Sequence, residues 1–153
     1  MSKKDWGNIS WILMHSLSEK IKEEAFTSCK ETLLKIIFDI CNNLPCPDCR
    51  DHAISLLKKS NINKISNKKD LISFLCEFHN IVNKKLNKNA KTLEEINILY
   101  SKANLNKIIK AFYIIYNNIG YNEKMLSESF KRKLFLKELL TQDLIKLKSY
   151  LNY

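Results

Sequence analysis

Glycine and proline are scarce in this chain of 153 residues, which contains two of each. A Rossmann dinucleotide loop needs three glycines close together, and a phosphate-binding P-loop needs two. Gly7 and Gly120 lie too far apart to form either motif. Sandwiches and barrels need turns rich in glycine and proline at intervals of roughly 8–12 residues. The sequence therefore favours helices joined by short polar connections.

Long apolar segments are also missing. No run of about 18 apolar residues is present, so the sequence predicts no membrane-spanning helix. The N-terminus lacks the apolar segment and cleavage site of a secretory signal peptide. The chain contains five cysteines. An odd number of cysteines in a protein that is not expected to be secreted argues against a framework of structural disulfides. We therefore expect a cytoplasmic protein.

Basic residues exceed acidic ones, 26 against 16, which gives a net charge of +10. Such a surplus favours a polyanion: nucleic acid, a membrane surface or a phosphorylated cofactor. The lysines form no dense run, however, and only Arg50 and Arg132 are arginine, the better reader of phosphates and bases. We interpret the charge mainly as a lysine-rich surface, and nucleic acid is not favoured.

The spacing of apolar residues is helical along the whole chain, which predicts an all-α fold. Helices are expected at about 6–24, 28–44, 68–86, 92–100, 105–119 and from about 127 to the end. A further helix is expected to have Cys49 in its first turn and to continue through Leu57. Capping boxes at Ser28 and Thr92 are predicted to open two of these helices, and Gly120 to end another. We interpret residues 1–104 as a four-helix bundle with a short fifth helix, and residues 105–153 as a helical C-terminal extension. The amphipathic faces of the extension must be buried on the bundle, in a dimer or against a partner.

The segment Cys46-Pro47-Asp48-Cys49 carries the sharpest chemical signal. Two cysteines at this spacing can close a reversible disulfide. A helix that starts beneath Cys49 would stabilise its thiolate through unpaired backbone N–H groups. In a reducing compartment such a pair indicates redox or metal chemistry.

A zinc centre is the alternative, because Cys76 and His79 add two ligands of the right type. These two residues are predicted to lie in the middle of a helix, without the tight turn that usually presents a metal ligand. Two classes of function thus stay open. One is a redox enzyme built on Cys46 and Cys49; the other is a non-enzymatic helical module that binds zinc, or binds nucleic acid through its basic C-terminal segment.

Three segments, in order, resemble the motifs of the Erv/ALR family of FAD-dependent sulfhydryl oxidases. The matching segments are Trp6-Gly7-x3-Trp11-x3-His15, Leu44-Pro45-Cys46-Pro47-Asp48-Cys49-Arg50-x-His52 and Phe78-His79-Asn80-x-Val82-Asn83-x-Lys85-Leu86-x-Lys88. Tyr100 stands where the family usually has a tryptophan. The resemblance covers about residues 5–101 and is strongest to the short single-domain oxidases of large cytoplasmic DNA viruses. For such a protein, the location would be the host cytoplasm or the virion.

This resemblance implies a thiol oxidase that forms disulfides and reduces molecular oxygen to hydrogen peroxide. Cys46 would exchange with the thiols of a protein substrate, and Cys49 would face the flavin. A helical bundle that binds FAD needs no Rossmann loop, which fits the shortage of glycine. The residues implied in FAD binding are Gly7, Trp11, His15, Cys49, His52, His79, Asn80, Val82, Asn83, Lys85, Leu86, Lys88 and Tyr100.

The chain departs from the family pattern in its cysteines. Members often link the cysteine before the His-Asn motif to a later one, but Leu93 stands at that later position, so Cys76 is expected to be a free thiol. No second close pair of cysteines could shuttle electrons. We therefore expect a thioredoxin-like relay protein, with Cys29 and Cys41 as the less favoured route.

Two further expectations concern assembly and the extension. The resemblance implies a homodimer that pairs through the first two helices. Residues 105–153 contain no motif residue and no cysteine. We therefore expect them to be dispensable for flavin binding and thiol oxidation.

Overall fold

The computed structural model describes residues 3–119 and 126–153, and the regular elements of these ranges are helical. The α-helices are α1 (Lys3–Lys20), α2 (Phe26–Asn42), α3 (Pro47–Lys59), α4 (Lys68–Lys85), α5 (Leu93–Ser101), α6 (Leu105–Asn117), α7 (Leu126–Glu138) and α8 (Leu144–Leu147). The predicted all-α fold is confirmed. Within the described residues, no helix combines the length and apolar character needed to cross a membrane.

Polar caps set the start of several helices where the sequence predicts them. The side chain of Asn67 accepts a hydrogen bond from the Asp70 N–H (2.8 Å) and opens α4. Thr92 and Glu95 form both bonds of a capping box at the start of α5. These side chains satisfy backbone donors that have no partner inside the helix.

The predicted boundary between the first two helices is wrong. α1 ends at Lys20 rather than near residue 24, and α2 begins at Phe26, ahead of the capping box predicted at Ser28. Ile21 leaves the helix to form an isolated antiparallel bridge with Leu151. Contacts with the C-terminus and the burial of Phe26 therefore set this boundary, and local capping chemistry does not.

The C-terminal extension is less regular than predicted. A π-helical turn at Leu139–Asp143 separates α7 from α8, and a 3-10 turn at Lys148–Tyr150 follows, so a single helix does not run to the end. The π turn carries the buried Asp143, whose carboxylate lies 2.9 Å from the Lys35 ammonium of α2. The helix stop predicted at Gly120 lies outside the described residues.

The bundle and the extension share one hydrophobic core. α1 packs against α4, α5 and α6, and Leu13 of α1 belongs to the same buried cluster as Leu105 and Phe112 of α6. The hydroxyl groups of Ser10 and Tyr116 are hydrogen-bonded across this contact. The amphipathic face of α6 is thus buried on the bundle. This packing gives no support to the expectation that residues 105–153 are dispensable.

Candidate active site

The two predicted catalytic cysteines form a disulfide at the start of α3, with 5.2 Å between their Cα atoms. Cys46 is the N-cap residue, Pro47 is the first helical residue, and Cys49 lies in the first turn, as predicted. Proline is favoured at the first position because its φ is already helical and its missing N–H would have had no helical partner. Both cysteines are partly exposed.

The start of α3 provides a hydrogen-bond donor to one of the two sulfurs. The backbone N–H of Cys49 donates to Cys46 Sγ at 3.2 Å. Backbone donors and the helix dipole both favour negative charge at this position. The sequence led us to expect this stabilisation for the Cys49 thiolate, but the direct donor in the structure serves Cys46.

Four planar side chains from three helices form a stacked cluster. The rings of Trp11 in α1 and His79 in α4 are 4.0 Å apart and inclined by only 7°. His15 in α1 stacks on Tyr100 of α5 at 4.9 Å and 17°. His15 Nε2 and His79 Nδ1 are 3.0 Å apart and link the two pairs. The structure thus brings Trp11 and His15 together with His79 and Tyr100, which lie far from them in the sequence.

Both histidines of the cluster are neutral at pH 7. Burial lowers the pKa of His15 to about 3, and the neighbouring His79 contributes less. Burial lowers the pKa of His79 to about 4, with smaller effects from Lys91 and Lys88. In the hydrogen bond between the two rings, one nitrogen therefore donates and the other accepts. Neutral rings of this kind suit stacking against a flat aromatic group.

Asn80 fixes the segment after α4 rather than pointing freely into solvent. Its amide nitrogen donates to the Lys91 carbonyl (2.8 Å), and its amide oxygen accepts from the Lys91 N–H (2.9 Å). This double contact holds Lys91 close enough to lower the pKa of His79. Lys91 belongs to no sequence motif. Only this contact identifies it as a residue of the candidate site.

The turn that follows α4 is a Schellman motif. Asn87 has a φ of 56°, Lys88 donates its N–H to the Asn83 carbonyl (2.8 Å), and Asn87 donates to Lys84. Asparagine tolerates this left-handed conformation better than most residues do. After this turn the chain returns along α4, where Lys91 contacts Asn80.

Lysines give this end of α4 a positive charge. Lys85 and Lys88 are exposed there, and Lys91 joins them. The pKa of His52 in α3 is lowered by burial and then by Lys85, which places the redox helix beside the same charge. Ammonium groups are well suited to hold a phosphate as point charges.

The remaining predicted ligands differ in exposure. Asn83 is buried, Val82 is half-buried against the core, and Leu86 is 41% exposed. A Cβ atom added to Gly7 would meet nothing within 4 Å. The backbone of α1 therefore borders open space one helical turn before Trp11.

Three cysteines are free thiols and all are buried. Cys76 is free, as expected, and its sulfur lies 3.5 Å from the Lys91 carbonyl, while Leu93 is exposed. Burial raises the pKa of Cys41 to about 12 and also raises the pKa of Cys29. These two thiols are poor candidates for thiolate exchange, so a relay through them has no support.

The zinc alternative would require Cys46, Cys49, Cys76 and His79 to meet. In the structure the first two cysteines pair with each other and the ring of His79 stacks on Trp11. Across residues 3–119 and 126–153, no group of three histidine, cysteine or acidic side chains is placed to hold a metal ion.

Known proteins that resemble this chain are sulfhydryl oxidases. Residues 8–101 match the family model described as the Erv1/Alr family. The FAD-linked sulfhydryl oxidase of African swine fever virus is 31% identical over 67% of this chain and 86% of that protein. A protein of Invertebrate iridescent virus 3, named for the same activity, is 30% identical over 56% of this chain and 58% of its own length. The FAD-linked sulfhydryl oxidase ERV1 of Arabidopsis thaliana is 26% identical over 67% of this chain and 53% of its own length.

The chain thus spans little more than half the length of two of these relatives. No solved structure matches it.

Proposed function

The chain belongs to the Erv1/Alr family, and from this membership we propose that it is an FAD-dependent sulfhydryl oxidase. It would convert two thiols and molecular oxygen to a disulfide and hydrogen peroxide. The observation that carries the proposal is the Cys46–Cys49 disulfide at the start of α3, partly exposed and supplied with a backbone donor. The non-enzymatic alternatives have no comparable support.

The residues around the aromatic cluster fit FAD in three respects. Trp11, His79, His15 and Tyr100 offer flat, neutral faces for its ring systems. The open space at Gly7 leaves room beside α1, and the lysines after α4 suit a pyrophosphate. When bound, FAD would supply a two-electron acceptor that oxygen can reoxidise.

The chemistry of this chain's own residues is thiol–disulfide exchange. A substrate thiolate attacks Cys46 Sγ, forms a mixed disulfide and releases Cys49 as a thiolate. A second substrate thiolate then attacks the substrate sulfur of the mixed disulfide, and Cys46 leaves. The substrate is now a disulfide and the pair is a dithiol, so two electrons have been transferred. The Cys49 N–H stabilises the Cys46 thiolate as it leaves.

A substrate with accessible thiols is what this chemistry requires. We propose a thioredoxin-like relay protein as the immediate electron donor, because the chain has no second close pair of cysteines. We also propose a cytoplasmic location, which the three free thiols favour because thiols persist in reducing compartments.

A homodimer remains part of the proposal and is tested by sedimentation at micromolar concentration. α6 packs against α1, and Lys35 of α2 is bound to Asp143 of the extension, so the extension covers part of the first two helices. Phe38 of α2 is 41% exposed and marks the surface that is left. The expected result is a dimer. A monomer would mean that the extension occupies the contact expected for a second subunit.

The oxidase proposal is tested on the purified protein reconstituted with FAD. We expect a yellow protein with an absorption band at about 450 nm, and oxygen consumption that depends on an added dithiol. Both signals are needed, because a bound flavin without turnover would indicate a binding protein only. A protein that stays colourless after reconstitution and contains one zinc ion per chain would overturn the proposal.

A further inference from the structure

An ion pair connects the redox helix to the C-terminal extension. Arg50 directly follows Cys49 and lies one helical turn after Cys46, whose carbonyl accepts its backbone N–H (2.9 Å). The Arg50 guanidinium donates from Nη1 to Glu128 Oε1 of α7 at 2.7 Å. Only 20% of the Arg50 side chain and 25% of the Glu128 side chain are exposed. A partly buried pair of this kind is screened by solvent less than a surface pair.

Glu128 is the main counter-charge of Arg50. A second acidic neighbour within the described part of the chain, Asp51, lies 3.6 Å from Arg50 Nε, but 77% of its side chain is exposed, so its effect is weak. Arg132 stands one helical turn after Glu128, is buried, and brings a second positive charge to the site. The second carboxylate oxygen of Glu128 is buried and has no hydrogen-bond partner among the residues that the structure describes. This carboxylate is therefore held against the redox helix by charge.

We propose that Glu128 is a positioning residue for the redox pair: it holds the Arg50 guanidinium against α7 and compensates the charge of the residue that directly follows Cys49. The inference deepens the proposed function. It rests on that function in one respect, which is that Cys46 and Cys49 must be redox-active. Glu128 lies outside residues 8–101, the part of the chain that matches the family. The extension would thus act on the reduction potential of a site to which it contributes no sulfur.

The half-reaction for reduction of the disulfide gives the direction in which its reduction equilibrium should shift. The disulfide takes up two electrons and two protons and becomes a dithiol, which ionises in part to a thiolate. A nearby uncompensated cation stabilises that thiolate and so favours the reduced form. Loss of the Glu128 charge should therefore make the pair easier to reduce, and loss of the Arg50 charge should make it harder to reduce.

The test is the reduction equilibrium of full-length Glu128→Gln, a substitution that removes the charge and keeps the shape. The protein is equilibrated without oxygen in glutathione buffers, free thiols are alkylated, and the fraction of the Cys46–Cys49 disulfide is measured by mass. We expect the equilibrium constant for reduction to rise by about threefold to tenfold, where tenfold corresponds to about 30 mV. Arg50→Gln should shift the constant in the opposite direction, and Glu128→Asp should restore most of the wild-type value.

Glu138→Gln is the matched control, because it removes a carboxylate of the same helix that pairs with Lys35 and not with Arg50. It should leave the constant unchanged. In an Arg50→Gln background, Glu128→Gln should bring the constant back close to the wild-type value, because the two lost charges cancel. A wild-type constant in Glu128→Gln, or an equal shift in Glu138→Gln, would overturn the inference. Failure of the wild-type protein to oxidise dithiols would count against the oxidase proposal instead, since this equilibrium is measured without turnover.

Discussion

Cys46→Ser and Cys49→Ser are each expected to abolish thiol oxidation while FAD stays bound. Either substitution removes one sulfur of the disulfide, so the exchange cycle cannot be completed. We expect turnover to fall by at least about 1000-fold, as is usual when a residue that forms the covalent intermediate is lost. The flavin should remain, because the aromatic cluster and the lysines after α4 contain neither sulfur.

Two measurements check this prediction: dithiol-dependent oxygen consumption, and the absorption spectrum after gel filtration. Cys29→Ala is the matched control, because it removes a cysteine that is free and buried in α2. That variant should keep the wild-type rate at a temperature where it is folded. Appreciable turnover in Cys46→Ser would contradict the assigned exchange route and point to direct attack on Cys49.

Most of the candidate site could be predicted because its residues stand in motifs with fixed spacing. The spacing of Trp11 and His15 on α1 placed them on one helix, and the segment from His79 to Lys88 carried the second set. Resemblance to a known family was needed to join these helices, since local pattern alone does not say which helices touch. The stack of Trp11 on His79 is such a contact.

Lys91 and Glu128 could not have been found in this way. Lys91 stands in no motif. It lies near the site because Asn80 forms hydrogen bonds with both its backbone N–H and its backbone carbonyl. Glu128 lies 78 positions after Arg50 in the sequence and meets it only through the packing of α7. Long-range charge pairs of this kind leave no periodic signal in a single sequence.

The helix boundaries show the same difference between local and long-range signals. α4 and α5 begin where short polar side chains cap them, and those starts were predicted. The end of α1 is set by the bridge between Ile21 and Leu151, which joins positions near opposite ends of the chain. Tertiary contacts override local preference at such points.

Phe112→Ala is expected to destabilise the whole protein, including the half that carries the redox pair. Phe112 is 1% exposed, stacks on Tyr116 at 4.2 Å and contacts Phe135 edge-on at 6.2 Å. Removing a phenyl ring from such a site costs about 3–5 kcal/mol through lost contacts and the cavity left behind. For a chain of this size, that loss lowers the melting temperature by on the order of 10 °C.

The neighbouring residue provides the control, because Tyr113 lies on the same helix and is 41% exposed. Tyr113→Ala should change the free energy of unfolding by no more than about 0.5 kcal/mol. Helix content and flavin release are followed together during heating. Since α6 shares its core with α1, which carries Trp11 and His15, both signals in Phe112→Ala should shift to the same lower temperature. If flavin release stayed at the wild-type temperature while part of the helix signal melted early, residues 105–153 would be a separate unit and the shared core would not govern the stability of the site.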